Sequence, residues 1–389
     1  MNDAPSAENG WVWSVSDAPD ESLIADWRDL LARAPHTPFQ DPDWLLAMAR
    51  ADKQQPVIVS ARSEGRLVAL FPLAARRQQG ARVLRWLGDA WSDYNCPLVE
   101  AAFWERMADA EIAALWISVQ KAVGGVDALI LRKQPEIVAG LSNPFARWNA
   151  FAEATGAHRL NFPQGEWDAV SRTIYSSVAR KRIRQGEGKL SAMGTLACSH
   201  VEDPDNAAAL VETLFGWKSA QLAARGGRNP FASASSRTPF SELARHSPEL
   251  VRIYALTLDG EPLAVMLGLA SGGVLLNYQM AYAAGPNARF SPGRIMLSHI
   301  FRQAIASGVK VFDFGLGDES YKIQLCDEHL GMTSSCVAFT ALGRVAVGVH
   351  HARVNTKRWV KSNPRLLGAV YRARAMFTGK GAPAAEDDL

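Results

Sequence analysis

The sequence predicts two similar mixed α/β layered domains in tandem, followed by a basic helical tail. Three observations carry this: a hairpin sequence recurs at an offset of 195 residues, the same order of elements surrounds each copy, and charge segregates into the last 49 residues. Strands that alternate with helices bury one face against a helical layer, which favours an α/β layered architecture over a sandwich or a bundle.

The first copy, Val57–Leu73, reads VIVSARSEGRLVALFPL, and the second, Arg252–Gly268, reads RIYALTLDGEPLAVMLG. Each is a pair of β-rich runs joined at an acidic residue and glycine, Glu64-Gly65 and Asp259-Gly260, the second being the stronger hairpin signal. A helical region precedes each hairpin: Leu23–Ala34 and Asp43–Arg50 in the first half, Ala207–Ala224 and Phe240–Arg245 in the second. An apolar strand follows (Val83–Leu87; Val274–Ala281), then a helix (Phe103–Ala122; Pro292–Ser307), then a glycine stop and a strand starting at Val126 or Val309. The expected domains are 11–160 and 165–340, with the irregular stretch 140–165 as linker and 341–389 as the tail. A chance recurrence of common hairpin sequence is the alternative.

The tail carries nine Lys and Arg against three acids, which leaves residues 1–340 at a net −3 within a whole-chain charge of +3. Such a tail suits contact with an anion: a phosphate-bearing ligand, an acidic lipid surface or an acidic partner. Leu366, Leu367, Val370, Tyr371 and Phe377 recur at helical spacing among arginines, a pattern that fits an interfacial helix or one docked on the body.

With 48% hydrophobic and 21% charged residues over 389, the composition excludes disorder and collagen-like structure. Cys96, Cys198, Cys326 and Cys336 lie far apart without metal or disulfide spacing, and the N-terminus lacks the features of a secretory signal; the expectation is a reduced, cytoplasmic protein. The uncharged stretch from Pro262 to Ala288 contains glycines, Asn277, Gln279 and Asn287, and reads as buried strands rather than a membrane span. No phosphate-loop, strand-linked dinucleotide, nucleophile-elbow or zincin motif is present, and the eight histidines show no metal spacing.

Residues confined to the second half are the candidates for chemistry. Ser291, Pro292, Gly293 and Arg294 suit a helix start, with Ser291 as N-cap and the following amides directed at an anion; an ordinary capped helix has the same sequence. Asp313 to Lys322, DFGLGDESYK, ends a strand in a flexed acidic loop that presents Tyr321 and Lys322. Asp313 is the candidate base, and Lys322 the candidate for an oxyanion or a phosphate, with a surface turn as the plain reading. Arg180-Lys181-Arg182-Ile183-Arg184, ahead of Gly186 and Lys189, reads as a solvated helix face or as one turned toward an anion. In the first half, Asp89–Asn95 is a polar aromatic loop suited to lining a pocket between domains or to simple anchoring by Trp91.

Taken together, Arg180–Arg184, Trp217-Lys218, Ser291-Pro292-Gly293 and the Asp313–Lys322 stretch resemble the CelD-type acyltransferases of the GNAT superfamily, over roughly 20–340. Those are bacterial proteins associated with cellulose or exopolysaccharide synthesis, and the related FemABX peptidyltransferases are built from two GNAT-like domains. The resemblance implies tandem GNAT-like domains and N-acyl transfer, with acetyl-CoA as donor substrate, no metal, and an amine on a sugar or cell-envelope precursor as acceptor. It implies a donor site at Arg289, Ser291, Gly293 and Arg294, although Pro292 and Arg294 replace small residues of the family's Q/R-x-x-G-x-G/A pattern. Lys322 resembles the FemABX lysine that steadies the tetrahedral intermediate, and Tyr321 would orient the acceptor or donate a proton. FemABX enzymes take aminoacyl-tRNA, which leaves the donor open. The alternative is a degenerate, non-enzymatic pair whose tail binds a cyclic dinucleotide or lipid headgroup, at the inner membrane; nucleic-acid duplex binding is not expected of an acidic body.

Overall fold

In the computed structural model the described residues are 10–224, 229–317 and 319–363. They form two compact units, one of residues 10–156 with Leu330–Asn363, the other Ala157–His329.

The first unit opens with β1 (Val12–Ser16), α1 (Glu21–Leu31) and α2 (Pro42–Ala51), followed by the hairpin β2 (Pro56–Ser63) and β3 (Arg66–Gln78). Then come β4 (Ala81–Trp86), β5 (Leu98–Val99), α3 (Ala101–Trp104), α4 (Asp109–Val123) and β6 (Ala128–Pro135). A small hairpin of β7 (Ile137–Val138) and β8 (Leu141–Ser142) and the short β9 (Ala150–Ala152) complete this stretch. The one helix expected over Phe103–Ala122 is two, because the Glu111 carboxylate caps the Ala108 amide at 2.7 Å and restarts the helix there. Trp13, Trp86, Trp104 and Trp116 pack with Phe71 and Phe145 between sheet and helices, mostly edge to face.

The second unit contains β10 (Ala157–Asn161), α5 (Trp167–Ile174), α6 (Ser177–Ser191), β11 (Leu196–His200), α7 (Pro204–Ala224), α8 (Ala234–His246), β12 (Val251–Leu258), β13 (Glu261–Ser271) and β14 (Val274–Tyr282). α9 (Pro292–Ala306), β15 (Val311–Leu316), α10 (Ser320–Leu325) and β16 (Glu328–Leu330) follow. The chain then returns to the first unit with β17 (Met332–Ala338) and α11 (Ala341–Ser362). Strand order is β1-β2-β3-β4-β6-β17-β9 in one sheet and β11-β12-β13-β14-β15-β10-β16 in the other.

Both hairpins turn the same way. Glu64-Gly65 and Asp259-Gly260 all have positive φ, which the tight turn between right-twisted strands requires. Each pairing slips by one residue at the same place, beside Ala61 and Leu256, so the bulge also repeats at an offset of 195. In each sheet one parallel pair follows, β4 with β6 and β14 with β15.

The boundaries expected at 340 and 341 are corrected by this return of the chain. β17 pairs with β6 from Met332↔Pro135 to Ala338↔Ala128, and α11 packs on β4, β6 and β17 through Ala346, His350 and Val354. Gly343 permits the docking, since a Cβ there would meet the Asp127 carbonyl oxygen at 1.9 Å. The tail residues Leu366 to Phe377 lie outside the described residues. The stretch 262–288 forms β13, β14 and a 3₁₀ turn (Pro286–Phe290), and no helix among the described residues is long and apolar enough to cross a membrane.

His350 is 6% exposed, and its pKa is held down to about 4, first by burial and then by the neighbouring Arg132. The unfolded chain binds this proton near the ordinary value of 6.5 and the folded chain only near 4. Stability contributed by the neutral imidazole is therefore present above pH 6.5 and lost as pH falls through that window. Relative to His350→Leu, the native chain should lose about 2–3 kcal/mol between pH 6.5 and 4. Urea titrations at several pH values check this, and a stability gap that does not change with pH would contradict it.

Candidate functional site

The site is built at the fork between β14 and β15. The two strands run parallel only over Val274↔Val311, Leu275↔Phe312 and Leu276↔Asp313, and then part. β14 bulges at this point, its pairing with β13 slipping by one residue between Leu267 and Gly268. An extra residue bends its strand, so the bulge directs the end of β14 away from β15. Asn277 sits at the fork, 7% exposed, and its Oδ1 accepts no hydrogen bond among the described residues.

Beyond β14 the chain makes the 3₁₀ turn and enters α9. Ser291 does not cap α9 with its side chain, as the sequence suggested; it takes a left-handed conformation (φ 57°, ψ 59°) and its carbonyl accepts the amides of Arg294 and Ile295. Pro292 has no N–H, and the Gly293 amide finds no acceptor among the described residues. Arg289, Ser291 and Arg294 line a cavity of about 380 Å³, while Gly293 is buried behind it.

The opposite wall of that cavity is α6, which contributes Arg182, Gln185, Gly186 and Lys189. Arg182 and Lys189, seven residues apart, lie on one helical face. Of the basic segment, Arg182 thus lines the cavity and is exposed. Gly186 lets α6 approach: a Cβ there would stand 2.6 Å from the Phe290 carbonyl oxygen and 3.2 Å from Ile295 Cδ1. Lys189 and Arg289 both lie over the Phe290 ring, at 5.8 and 4.8 Å from its centroid. The cavity thus has four cationic side chains and no acid in its lining.

The second cluster follows β15. Asp313 is 1% exposed; one oxygen accepts from Arg159 Nε at 2.8 Å and the other from the Gly315 amide at 2.8 Å. Through these two bonds Asp313 ties β15 to β10 and fixes the turn at Gly315. Lys322 is 5% exposed, with Nζ 2.8 Å from both the Leu316 carbonyl and the Glu319 carboxylate. The Tyr321 ring meets Phe314 edge to face at 5.9 Å, and burial, aided by Glu319, pushes its hydroxyl pKa up, so it keeps its proton. Parallel strands bring their C-terminal ends to one edge, so the cavity after β14 and the Tyr321–Lys322 cluster after β15 share an edge of the sheet.

The corresponding fork of the first unit is filled. The Asn95 amide donates to the Lys133 carbonyl, and Lys133 Nζ donates to the carbonyls of Asp89 and Ser92 at 2.9 and 2.7 Å. The loop 89–95, expected to line a pocket between domains or simply to anchor, packs inside its own unit, with Ser92, Tyr94 and Asn95 buried. Sequence reasoning missed Arg159 as the partner of Asp313, 154 residues away. Gly186 did leave a signal, since glycine within a helix costs about 1 kcal/mol and calls for a packing reason. Among the described residues no group of three or more metal-ligating side chains converges.

Residues 177–323 match the family model of an acetyltransferase (GNAT) domain. No curated protein sequence matches the chain. Among solved structures, FemX aligns with a TM-score of 0.55 at 10% identity, over 83% of this chain and 97% of that one. The C-terminal domain of an Agrobacterium fabrum protein assigned as a lysylphosphatidylglycerol synthetase gives 0.51 at 12% identity, over 85% and 95%. L-PGS from Bacillus licheniformis gives 0.50 at 12% identity, over 86% and 97%. At such identities the likeness is one of fold. The second unit thus carries a GNAT acetyltransferase domain, which makes the protein an N-acyltransferase by class, and the first unit repeats its parallel fork.

Proposed function

We propose that the protein transfers an acetyl group from acetyl-CoA to an amine on a sugar or other cell-envelope or exopolysaccharide precursor, in the cytoplasm. The observation that carries this reading is the cationic, acid-free cavity at the start of α9, at the edge where the β14–β15 fork opens. Arg289 and Arg294, which line the cavity beside the start of α9, suit the diphosphate of the donor. The filled fork of the first unit leaves the second unit as the donor site. An envelope acceptor is supported by the CelD-like residues and by the lysylphosphatidylglycerol synthetase assignment of one structural neighbour.

In this scheme the free amine nitrogen attacks the thioester carbonyl, and the oxyanion forms beside Lys322. Collapse breaks the carbon–sulfur bond. Tyr321 gives its proton to the departing thiolate and recovers one from the new amide nitrogen, so that protons balance. Calorimetric titration with acetyl-CoA tests the proposal: saturable binding, lost in Arg289→Glu, which sets a carboxylate in the cavity lining, is expected. No binding by the native chain would overturn the acetyl-CoA reading.

A further inference from the structure

α11 docks on the sheet of the first unit with one face, through Ala346, His350 and Val354, yet it carries a second apolar row. Leu342, Val345, Val349, Ala352 and Trp359 follow one another at steps of three, four, three and seven residues, which keeps them on one side of a helix. That side faces outward: Leu342, Val345 and Trp359 are 42%, 54% and 60% exposed. Of the twelve tryptophans, all of them among the described residues, Trp359 alone is exposed.

The charge around the row has one sign. Arg344, Arg353 and Arg358 are exposed beside it, and no acid stands between Glu328 and Glu386 in the sequence. A second copy of the chain laid against this row would set arginines against arginines. An anionic lipid surface neutralises them instead, while the row enters the boundary between headgroups and acyl chains and the arginine stems reach back to the phosphates. Tryptophan suits that boundary, with an apolar body and one polar N–H. No helix among the described residues is long and apolar enough to cross a membrane, so α11 would lie in the plane of the interface.

We propose that the outward face of α11 seats the first unit on a bilayer rich in anionic lipid, with Trp359 at the headgroup boundary and Arg344, Arg353 and Arg358 over lipid phosphates. The inference is independent of the donor reading, since α11 belongs to the first unit and the donor cavity to the second.

The test is partitioning of the full chain onto sedimented vesicles of phosphatidylcholine, alone or mixed with phosphatidylglycerol. The native protein should bind the mixed vesicles at least roughly tenfold better, and high salt should remove most of that difference. Val345→Asp should lower binding to them at least about tenfold, and Arg358→Ala roughly fivefold. Both side chains point to solvent, so a thermal melt shared with the native chain is expected to show an intact fold. Brominated phosphatidylglycerol should quench part of the native fluorescence, and Trp359→Phe, which keeps an apolar ring and still binds, should lose that quenching. Equal binding to both kinds of vesicle, or quenching that persists in Trp359→Phe, would overturn the proposal. Binding that survives both Val345→Asp and Arg358→Ala would also overturn it, by placing the lipid contact outside α11. A native dimer in light scattering that Val345→Asp dissociates would overturn it in favour of a second copy.

Discussion

Lys322→Met should lower turnover by roughly 10²–10³-fold, the scale of losing one donor to a developing oxyanion, while donor affinity stays within about twofold. The side chain is buried and its ammonium is held by the Leu316 carbonyl and Glu319, leaving a third N–H to meet charge on the substrate. Methionine keeps the length and apolar body of lysine, so no large cavity results; Glu319 Oε2, which faces Lys322, is buried and loses its partner, so Lys322→Met is measured beside Lys322→Met with Glu319→Gln, which removes that charge. Donor titration and a thermal melt establish that the variant is folded and loaded. Single-turnover measurement then reads the chemical step. Unchanged turnover in a folded, loaded variant would remove Lys322 from the mechanism.

Gly186→Ala should destabilise the second unit by about 1–3 kcal/mol, the cost of overpacking a fitted contact. Donor affinity should fall at least tenfold with it. The new methyl would stand 2.6 Å from a backbone oxygen of the loop that builds the cavity, and a backbone atom cannot rotate aside as a side chain does. α6 must then lift from Phe290 and Ile295, and Lys189 leaves the ring it shares with Arg289. Gly188→Ala is the control: nothing lies within 4 Å of its Cβ, and the change should stabilise α6 by up to about 1 kcal/mol through helix propensity alone. Chemical denaturation of both variants separates the two effects, and equal behaviour at the two positions would show that the close approach does not matter.

What the sequence made legible was local. The paired turns at Gly65 and Gly260 declared the duplication, because only a few residues accept two successive positive φ angles. Lys322 and Tyr321 were visible as a motif on one loop, as were Arg289 and Arg294 on another. Their surroundings were not, because contacts between distant segments leave no mark on local spacing. Arg159 meets Asp313 across 154 residues, a pairing that no local spacing announces. Arg182 looked like any basic helix residue until α6 was seen against Phe290. Ser291 has the composition of a cap, but its left-handed backbone turns its carbonyl, rather than its hydroxyl, to α9.

The return of β17 to β6 bears on how the chain is made. Between Pro135 and its partner Met332 lie 196 residues, an entire acetyltransferase unit. At roughly 5–20 residues per second of synthesis, the open side of β6 waits about 10–40 s for its neighbour to leave the ribosome. By the end of that interval the second unit has all of its strands, while the first is still a sheet with an unpaired inner edge. The order of completion on the ribosome is therefore the reverse of the order of the units along the chain, and the catalytic unit can mature before the unit that precedes it is closed.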